Sequence, residues 1–169
     1  MGDVNRKSVL FVCMGNICRS PTGEGVMQAL VEERGLADQV DIDSAGTIGY
    51  HAGNPADARM RAAAQRRGIA LESRARQVDR EDLTAFDLII AMDRANYDDL
   101  LALGPSGGER RRVKMLGEFL PEFVGQAAGP NGAADVPDPY YGGPDGFEEV
   151  LDMIESACPA ILDELLGES

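Results

Sequence analysis

Short apolar runs alternate along the chain with stretches in which apolar residues recur every three or four positions. The run at residues 8–13 is β-branched and does not alternate with polar residues, which is typical of a strand buried on both faces. Three further strands are predicted, at 40–44, at 87–92, where the run is again typical of a buried strand, and more weakly at 112–116. Helical periodicity predicts four helices, at 21–34, 56–67, 94–103 and 147–166.

This order of elements predicts an α/β fold. Strands separated by helices form βαβ units, so we expect one domain over residues 1–169, with three layers, a central four-stranded parallel sheet and helices on both faces. Ligands of such folds bind at the carboxyl ends of the strands, where the loop after the first strand lies. We expect Pro159 to kink or divide the last helix. The Gly- and Pro-rich segment 125–146 is too long for an idle connector, so it is either disordered or functional.

Charge and composition exclude several classes of protein. The 169 residues include 16 basic and 29 acidic side chains, and the net charge of -13 repels nucleic acid and anionic lipid surfaces. No apolar stretch reaches the roughly 20 residues of a membrane span, and the polar start lacks the apolar core of a signal peptide. We therefore expect a cytoplasmic protein without nucleic-acid or membrane partners. The sequence does not indicate an oligomeric state, and we expect a monomer.

The three cysteines and the single histidine carry information about redox state and metals. An odd number of cysteines without a secretion signal indicates reduced thiols rather than a disulfide framework. Their spacing matches no zinc template, so we expect neither a metal site nor a cofactor. Cys158 is expected in the core, and His51 is expected to have a structural role in its loop.

The segment that directly follows the first strand can bind an anion and carry a nucleophile. It reads Cys13-Met14-Gly15-Asn16-Ile17-Cys18-Arg19-Ser20 and is followed by Pro21. Successive backbone N–H groups in such a loop can converge on one phosphate, and the next helix adds positive potential at its amino terminus. Arg19 could hold two phosphate oxygens, and together with the Ser20 hydroxyl it would favour the thiolate of Cys13. Gly15 and Asn16 tolerate the positive φ that a tightly wound loop needs.

A cysteine at the end of a buried strand is, on its own, more often a packing residue than a reactive one. The complete string between a strand and a helix changes that interpretation in favour of a nucleophile. Up to this point the residues support phosphate binding by a reactive thiol.

The string from Val9 to Pro21 closely resembles the signature of the low-molecular-weight protein tyrosine phosphatases. Further pieces occur in that family's order: Asp43-Ser44-Ala45-Gly46-Thr47, Arg76-Gln77, Ala91-Met92-Asp93 and Asp138-Pro139-Tyr140-Tyr141-Gly142. The resemblance spans nearly the whole chain, and its first and last motifs are specific. It implies hydrolysis of phosphotyrosine and aryl phosphates, with tyrosine-phosphorylated proteins as substrates. The reaction would pass through a cysteinyl phosphate on Cys13, with Arg19 holding the phosphate.

The resemblance also implies a general acid and an aromatic slot. Asp138 would protonate the leaving oxygen and then activate water, although Asp-Pro is an ordinary turn elsewhere and Asp135 lies close to it in sequence. Tyr140, Tyr141 and Tyr50 would wall a slot for the phosphotyrosine ring. The predicted substrate-binding residues are Met14, Gly15, Asn16, Ile17, Cys18, Ser20, Tyr50, Tyr140 and Tyr141.

Two further residues match supporting positions of the family. Ser44 resembles the partner with which Asn16 braces the loop. Cys18 matches the second loop cysteine, and a disulfide with Cys13 could shield the nucleophile from irreversible oxidation. Otherwise Cys18 is a buried packing residue.

Four alternative functions differ from phosphotyrosine hydrolysis in the residues that they require. An arsenate reductase of the same fold needs two further cysteines placed close together, whereas only Cys158 lies outside the loop. A protein-arginine phosphatase is associated with threonine where this chain has Ile17. A cysteine phosphocarrier domain needs neither Arg19 nor Asp138. A phosphopeptide-binding module without turnover is the fourth, and hydrolysis of an aryl phosphate without metal would distinguish it.

Overall fold

The structure is a computed structural model that describes residues 6–121, 134–140 and 142–167. Four strands form one parallel sheet in the order β2-β1-β3-β4. Their bounds are β1 (Lys7–Cys13), β2 (Val40–Gly46), β3 (Leu88–Ala91) and β4 (Val113–Met115). The predicted α/β fold with a four-stranded parallel sheet is confirmed, and each strand end lies within two residues of its prediction.

Six α-helices and one 3-10 helix occur within the described residues. They are α1 (Arg19–Glu33), α2 (Ala58–Gln65), α3 (Asp82–Ala85), α4 (Arg94–Leu101), α5 (Gly107–Arg110), the 3-10 helix Leu116–Phe119 and α6 (Pro144–Leu166). The four predicted helices are present, whereas α3, α5 and the 3-10 helix were not predicted. Each of these three has four residues, which is too short for a periodic pattern to show. A capping box between Ser106 and Glu109 was the available signal for α5.

Helix α6 starts three residues before its predicted start and runs through Pro159 without a break. Pro144 occupies its first turn, where a missing N–H costs no hydrogen bond. Of the two outcomes predicted at Pro159, the division is therefore wrong, and the kink stays a prediction. Burial explains the difference, because Cys158 and Ile161 on either side of the proline are fully buried and hold both halves against the core. Within the described ranges, none of the helices combines the length and the apolar character required to cross a membrane.

Strand β1 sends alternate side chains to two separate hydrophobic clusters. Val9 and Phe11 pack with residues of α1, α2 and α6. Leu10 and Val12 pack on the other face, with residues of α3 and α4. All four side chains are fully buried, and each such burial stabilises the fold by about 1.5–3 kcal/mol. Helices therefore cover both faces of the sheet, and the carboxyl end of β1 opens between them.

Two glycines let α1 pack closely enough to begin directly after the loop. A Cβ added at Gly23 would lie 2.6 Å from Cδ1 of Phe11, and one at Gly25 would lie 2.5 Å from Cδ2 of Leu71. Both distances are shorter than van der Waals contact. The helix thus accepts two residues of low helical propensity because they bring its amino terminus beside the end of β1.

Candidate active site

The loop between β1 and α1 turns tightly at Asn16. Asn16 has φ of 59°, the single positive value among the non-glycine residues that the structure describes. Gly15 does not adopt a positive φ, so that prediction is wrong for it. Glycine is favoured at position 15 for a steric reason instead, since a Cβ there would lie 2.9 Å from Cδ2 of His51.

Asn16 holds the loop together through its buried amide. Its Nδ2 donates hydrogen bonds to Oγ of Ser20 at 2.8 Å and to Oγ of Ser44 at 3.0 Å. Its Oδ1 accepts a hydrogen bond from the backbone N–H of Arg76 at 3.0 Å. The two residues expected to brace the loop, Asn16 and Ser44, are therefore in direct contact. Oγ of Ser20 lies 3.0 Å from Sγ of Cys13, which connects the brace to the thiol.

Glu24 extends this network and was not predicted. Oγ of Ser44 donates to Oε1 of Glu24 at 2.6 Å, so the same oxygen can only accept from Asn16. The Asn16 amide also donates to Ser20, whose hydroxyl lies 3.0 Å from Sγ of Cys13 and 3.4 Å from the backbone oxygen of Ala45. Burial raises the pKa of the Glu24 carboxyl. Sequence reasoning had no signal for this role, because Glu24 lies in α1 outside every motif that we singled out.

Two oxygen acceptors hold the Arg19 guanidinium through one of its nitrogens. Its Nη1 donates to Oδ2 of Asp93 at 2.6 Å and to the backbone oxygen of Val136 at 3.0 Å. Its side chain is only 3% exposed. Burial by itself would lower the pKa of the guanidinium, but the negative charges of Cys13 and Asp93 outweigh burial and raise it. The result is a rigid cation at the first residue of α1.

A cavity of about 310 Å³ lies over the loop. Its described lining residues are Cys13, Met14, Gly15, Ile17, Cys18, Arg19, Ile48, Tyr50, His51, Asp138 and Tyr140. Nine of these were predicted as site residues, whereas Ile48 and His51 were not. Asn16, Ser20 and Ser44 lie beneath the lining, where they brace it. Tyr141 lies outside the described residues.

Three rings border the mouth of the cavity. Tyr50 is 84% exposed, and its ring meets His51 edge to face with centroids 4.9 Å apart. The His51 ring lies 6.4 Å from that of Tyr140. Together with the exposed side chains of Met14 and Ile48, they form an apolar and aromatic opening that suits a flat ring. His51 thus belongs to the site rather than only to its own loop, and its position next to Tyr50 was the available signal.

Asp138 reaches the cavity from the Gly- and Pro-rich segment. Its Oδ2 lies 3.7 Å from Nη2 of Arg19, and its Oδ1 accepts the backbone N–H of Tyr140 at 3.0 Å. The described part of the segment is anchored by Val136, which is fully buried and donates its N–H to the oxygen of Met92 at 2.9 Å. Asp135 does not line the cavity, and its Oδ1 accepts the N–H of Arg94 at 3.0 Å.

All three thiols are free and buried, but only two of them line the cavity. Burial raises the pKa of the Cys18 thiol well above its ordinary value. The Cys158 thiol lies within α6, and burial raises its pKa as well. In the part of the chain that the structure describes, no group of three or more His, Cys, Asp or Glu side chains is arranged to hold a metal ion.

The parallel sheet carries a buried thiol at the end of β1, a fixed arginine after it and a carboxylate above it. This combination defines the class of cysteine-dependent phosphatases. Over residues 8–169 the chain matches the family model described as low molecular weight phosphotyrosine protein phosphatase, and it belongs to that family. A putative low molecular weight protein-tyrosine-phosphatase from Synechocystis sp. is 45% identical over 157 residues, which cover 93% of this chain and 95% of the relative. The resemblance that the motifs indicated is confirmed.

Solved structures agree with this membership. The protein tyrosine phosphatase of Entamoeba histolytica with Hepes in its active site has a TM-score of 0.85 and is 38% identical, covering 94% of this chain and 96% of its own. A drosophila arginine phosphatase has a TM-score of 0.78 at 28% identity, covering 92% of this chain and 96% of its own. The family's fold thus includes a member whose name indicates a different phosphorylated residue.

Proposed function

We propose that the protein hydrolyses phosphotyrosine in proteins, and aryl phosphates, through a cysteinyl phosphate on Cys13. The observation that carries this proposal is the meeting of Cys13, Arg19 and Asp138 at one cavity, although Asp138 comes from a distant part of the chain. Relatives named as protein tyrosine phosphatases support the same substrate class.

In the first step, the Cys13 thiolate attacks phosphorus while the bond from phosphorus to the tyrosyl oxygen breaks. Asp138 gives its proton to that oxygen, so that tyrosine leaves as a neutral phenol. Arg19 and the loop N–H groups bind the phosphate oxygens as charge develops on them. Because Asp93 and Val136 already hold Arg19, little reorganisation is needed at this stage.

In the second step, water attacks the phosphorus of the cysteinyl phosphate. The Asp138 carboxylate takes a proton from this water, the sulfur–phosphorus bond breaks, and inorganic phosphate and the thiolate are released. The Ser20 hydroxyl, 3.0 Å from Sγ, is in position to donate a hydrogen bond to the departing thiolate. Asp138 gives one proton to the leaving oxygen in the first step and takes one from water in the second, so the proposed cycle uses no cofactor.

The proposed cellular setting follows from the same chemistry. A catalytic thiol needs reducing conditions, so we propose a cytoplasmic enzyme. We also propose that it is a monomer with one phosphatase domain over residues 1–169. Its substrates are tyrosine-phosphorylated proteins. The net charge of -13 disfavours nucleic acid and anionic membranes as partners.

The alternatives receive less support from the site. Cys158 is fully buried in α6 and does not line the cavity, which argues against the cysteine relay of an arsenate reductase. Ile17 offers the cavity an apolar side chain, which favours a phosphorylated phenol over phosphoarginine. A phosphocarrier or a phosphopeptide-binding module without turnover does not need a general acid, so the position of Asp138 beside the loop argues against both.

The proposal is tested by metal-free turnover of an aryl phosphate and of matched peptides that carry phosphotyrosine, phosphoserine or phosphoarginine. We expect phosphotyrosine to be preferred, Cys13→Ser to abolish turnover and Arg19→Ala to reduce it by at least about three orders of magnitude. Acid quenching during turnover should trap phosphate on Cys13. Normal turnover by Cys13→Ser would refute the mechanism, and a preference for phosphoarginine would transfer the substrate class to that alternative.

A further inference from the structure

Asp138 lies between two anchor points, one on each side of it in the chain. Two residues before it, Val136 is fully buried, and its backbone is hydrogen-bonded to Met92 and to Arg19. Two residues after it, Tyr140 packs partly buried against the core and donates its N–H to Oδ1 of Asp138 at 3.0 Å. The position of the proposed general acid therefore depends on what holds Tyr140 in place.

The Tyr140 ring lies against a guanidinium group. The guanidinium carbon of Arg59 lies 5.3 Å from the centroid of the Tyr140 ring and 5.0 Å from that of Phe147. Both distances are within the range of cation–π contacts. Phe147 is buried at the start of α6, where it belongs to the core. Arg59 thus connects the Tyr140 ring to a fixed part of the fold.

Asp57 holds the Arg59 guanidinium and links it to the phosphate loop. The two carboxylate oxygens of Asp57 accept hydrogen bonds from Nε of Arg59 at 3.1 Å and from Nη2 at 2.9 Å. The backbone N–H of Asp57 donates to the oxygen of Ile17, within the loop, at 2.8 Å. A continuous series of contacts therefore leads from the loop, through Asp57 and Arg59, to the ring of Tyr140.

The charge and the shape of Arg59 both suit this contact. Hydrogen bonding to Asp57 raises the pKa of Arg59, so the group stays a cation. Within the described ranges, Asp57 is the one carboxylate that forms an ion pair with Arg59. A planar guanidinium can bind a carboxylate along its edge and present its face to a ring, whereas the compact ammonium group of a lysine cannot do both in this way. The Arg59 side chain is 50% exposed, so we expect its contribution to be modest.

We propose that Arg59 is a positioning residue for the general acid. By holding the ring of Tyr140, it keeps the Asp138 carboxylate within reach of the leaving oxygen. This inference rests on the proposed function and adds a residue that acts through another, since Arg59 is not among the described lining residues of the cavity. Proton transfer needs heavy atoms about 2.6–3.2 Å apart, so a small displacement of the carboxylate slows it. Pro139 is buried as well, and loss of Arg59 therefore loosens the segment without releasing it.

The test compares phenyl phosphate with para-nitrophenyl phosphate. The two esters present similar rings, but only the phenyl ester has a leaving oxygen that depends strongly on a proton. In Arg59→Met, kcat/KM for phenyl phosphate should fall about fivefold, and kcat/KM for para-nitrophenyl phosphate should fall less than about twofold. Arg59→Lys keeps a cation without the planar group, so it should show an intermediate loss for phenyl phosphate.

A second measurement separates positioning of the acid from a general effect on the fold. In the Asp138→Asn protein the acid is already absent, so adding Arg59→Met should lower kcat/KM for phenyl phosphate by less than about twofold further. A merely structural defect would instead multiply the loss in this background by the same factor as in the wild type.

Arg61→Met is the matched control, because Arg61 lies on the same helix and loses the same charge. Its Nε donates to the backbone oxygen of Ala56, and the variant should leave the ratio of the two esters unchanged. The proposal would be overturned by an equal loss for both esters in Arg59→Met, by a further fivefold loss in the Asp138→Asn protein, or by the same change of ratio in Arg61→Met. Failure of the proposed function is a separate result, namely a wild-type protein that hydrolyses neither ester.

Discussion

Arg19 and Asp93 form a hydrogen-bonded ion pair of 2.6 Å that links the phosphate loop to the start of α4. The Asp93 side chain has two functions, since its other oxygen, Oδ1, accepts the N–H of Asn96 at 2.8 Å and caps that helix. The same carboxylate thus stabilises a helix and orients the cation that is proposed to hold phosphate.

We predict that Asp93→Ala lowers the free energy of unfolding by about 3 kcal/mol, because it leaves the buried Arg19 without its closest anion and removes the helix cap. Asp93→Asn keeps an oxygen for the cap and should cost less. Urea unfolding measures the loss of stability in both variants. Because Arg19 would be held less firmly, inorganic phosphate should also bind more weakly, which is measured as weaker inhibition of turnover. Asp98→Ala, which removes an exposed partner of Arg94, is the control. Equal losses for Asp93→Ala and Asp98→Ala would contradict the prediction.

Asp138→Asn should reduce kcat by about 10²–10⁴-fold for a phosphate ester with a poor leaving group, because it removes a proton transfer. The loss should shrink for an activated ester whose leaving oxygen needs no proton. KM should change little, since Asp138 is not proposed to bind the ground-state phosphate. Asp135→Asn, in the same segment but outside the cavity lining, should retain turnover. A loss for Asp135→Asn alone would reassign the acid.

Glu24→Leu should slow both turnover and alkylation of Cys13 by iodoacetamide, because the Ser44 hydroxyl would lose the acceptor that anchors it, and its hold on Asn16 of the loop would loosen. We expect about a tenfold effect for Glu24→Leu and a smaller one for Glu24→Gln, whose amide oxygen can still accept. Glu33→Gln, an exposed substitution on the same helix, provides the control. Unchanged alkylation in Glu24→Leu would show that the network braces the loop without affecting the thiol.

The stability of Glu24→Gln should depend on pH in a defined direction. Burial raises the pKa of Glu24 in the folded protein, so the folded chain binds this proton more tightly than the unfolded chain does. The contribution of Glu24 to stability is therefore greatest at acidic pH and is lost as pH rises through the folded pKa. Relative to the wild type, Glu24→Gln should gain stability from about pH 4 to about pH 7 in urea unfolding. A constant difference over this range would refute the effect of burial.

Mild peroxide should produce a disulfide between Cys13 and Cys18. Peroxide converts the Cys13 thiolate to a sulfenic acid, and the Cys18 sulfur then displaces water from it to form the S–S bond. Burial raises the pKa of Cys18, which keeps it an unreactive thiol towards peroxide itself. Peptide mass spectrometry detects the bond, and Cys18→Ser should instead accumulate irreversible oxidation at Cys13. Sulfonic acid as the only product in the wild type would exclude protection by Cys18.

The predictions that correspond to the observed structure are those encoded in continuous segments. The loop from Cys13 to Ser20 is specified locally, since a buried strand, a turn at Asn16 and a helix start follow one another directly. Strands β1 and β3 were likewise visible as apolar runs, because a strand buried on both faces needs apolar residues at successive positions. Gly15 is the exception within the loop, because its requirement comes from His51 and not from its own backbone.

The parts that were missed depend on contacts between segments far apart in the chain. Glu24 is connected to the loop through Ser44 of β2, and His51 and Ile48 reach the cavity from the loop after that strand. Pro159 was misjudged for a related reason, since local propensity predicts a break that burial of the surrounding helix prevents. Periodicity and motifs describe neighbours along the chain, and none of these relationships is local.

By itself, then, the sequence determined the parallel α/β fold, the phosphate loop and the family, because each depends on residue types within a few positions of one another. Tertiary structure decided which oxygens hold Arg19, which carboxylate anchors the Ser44 hydroxyl that braces the loop, and which aspartate of the last segment reaches the cavity. These are matters of distance and burial across the sheet, and they exist only once β1, β2 and β3 are packed side by side.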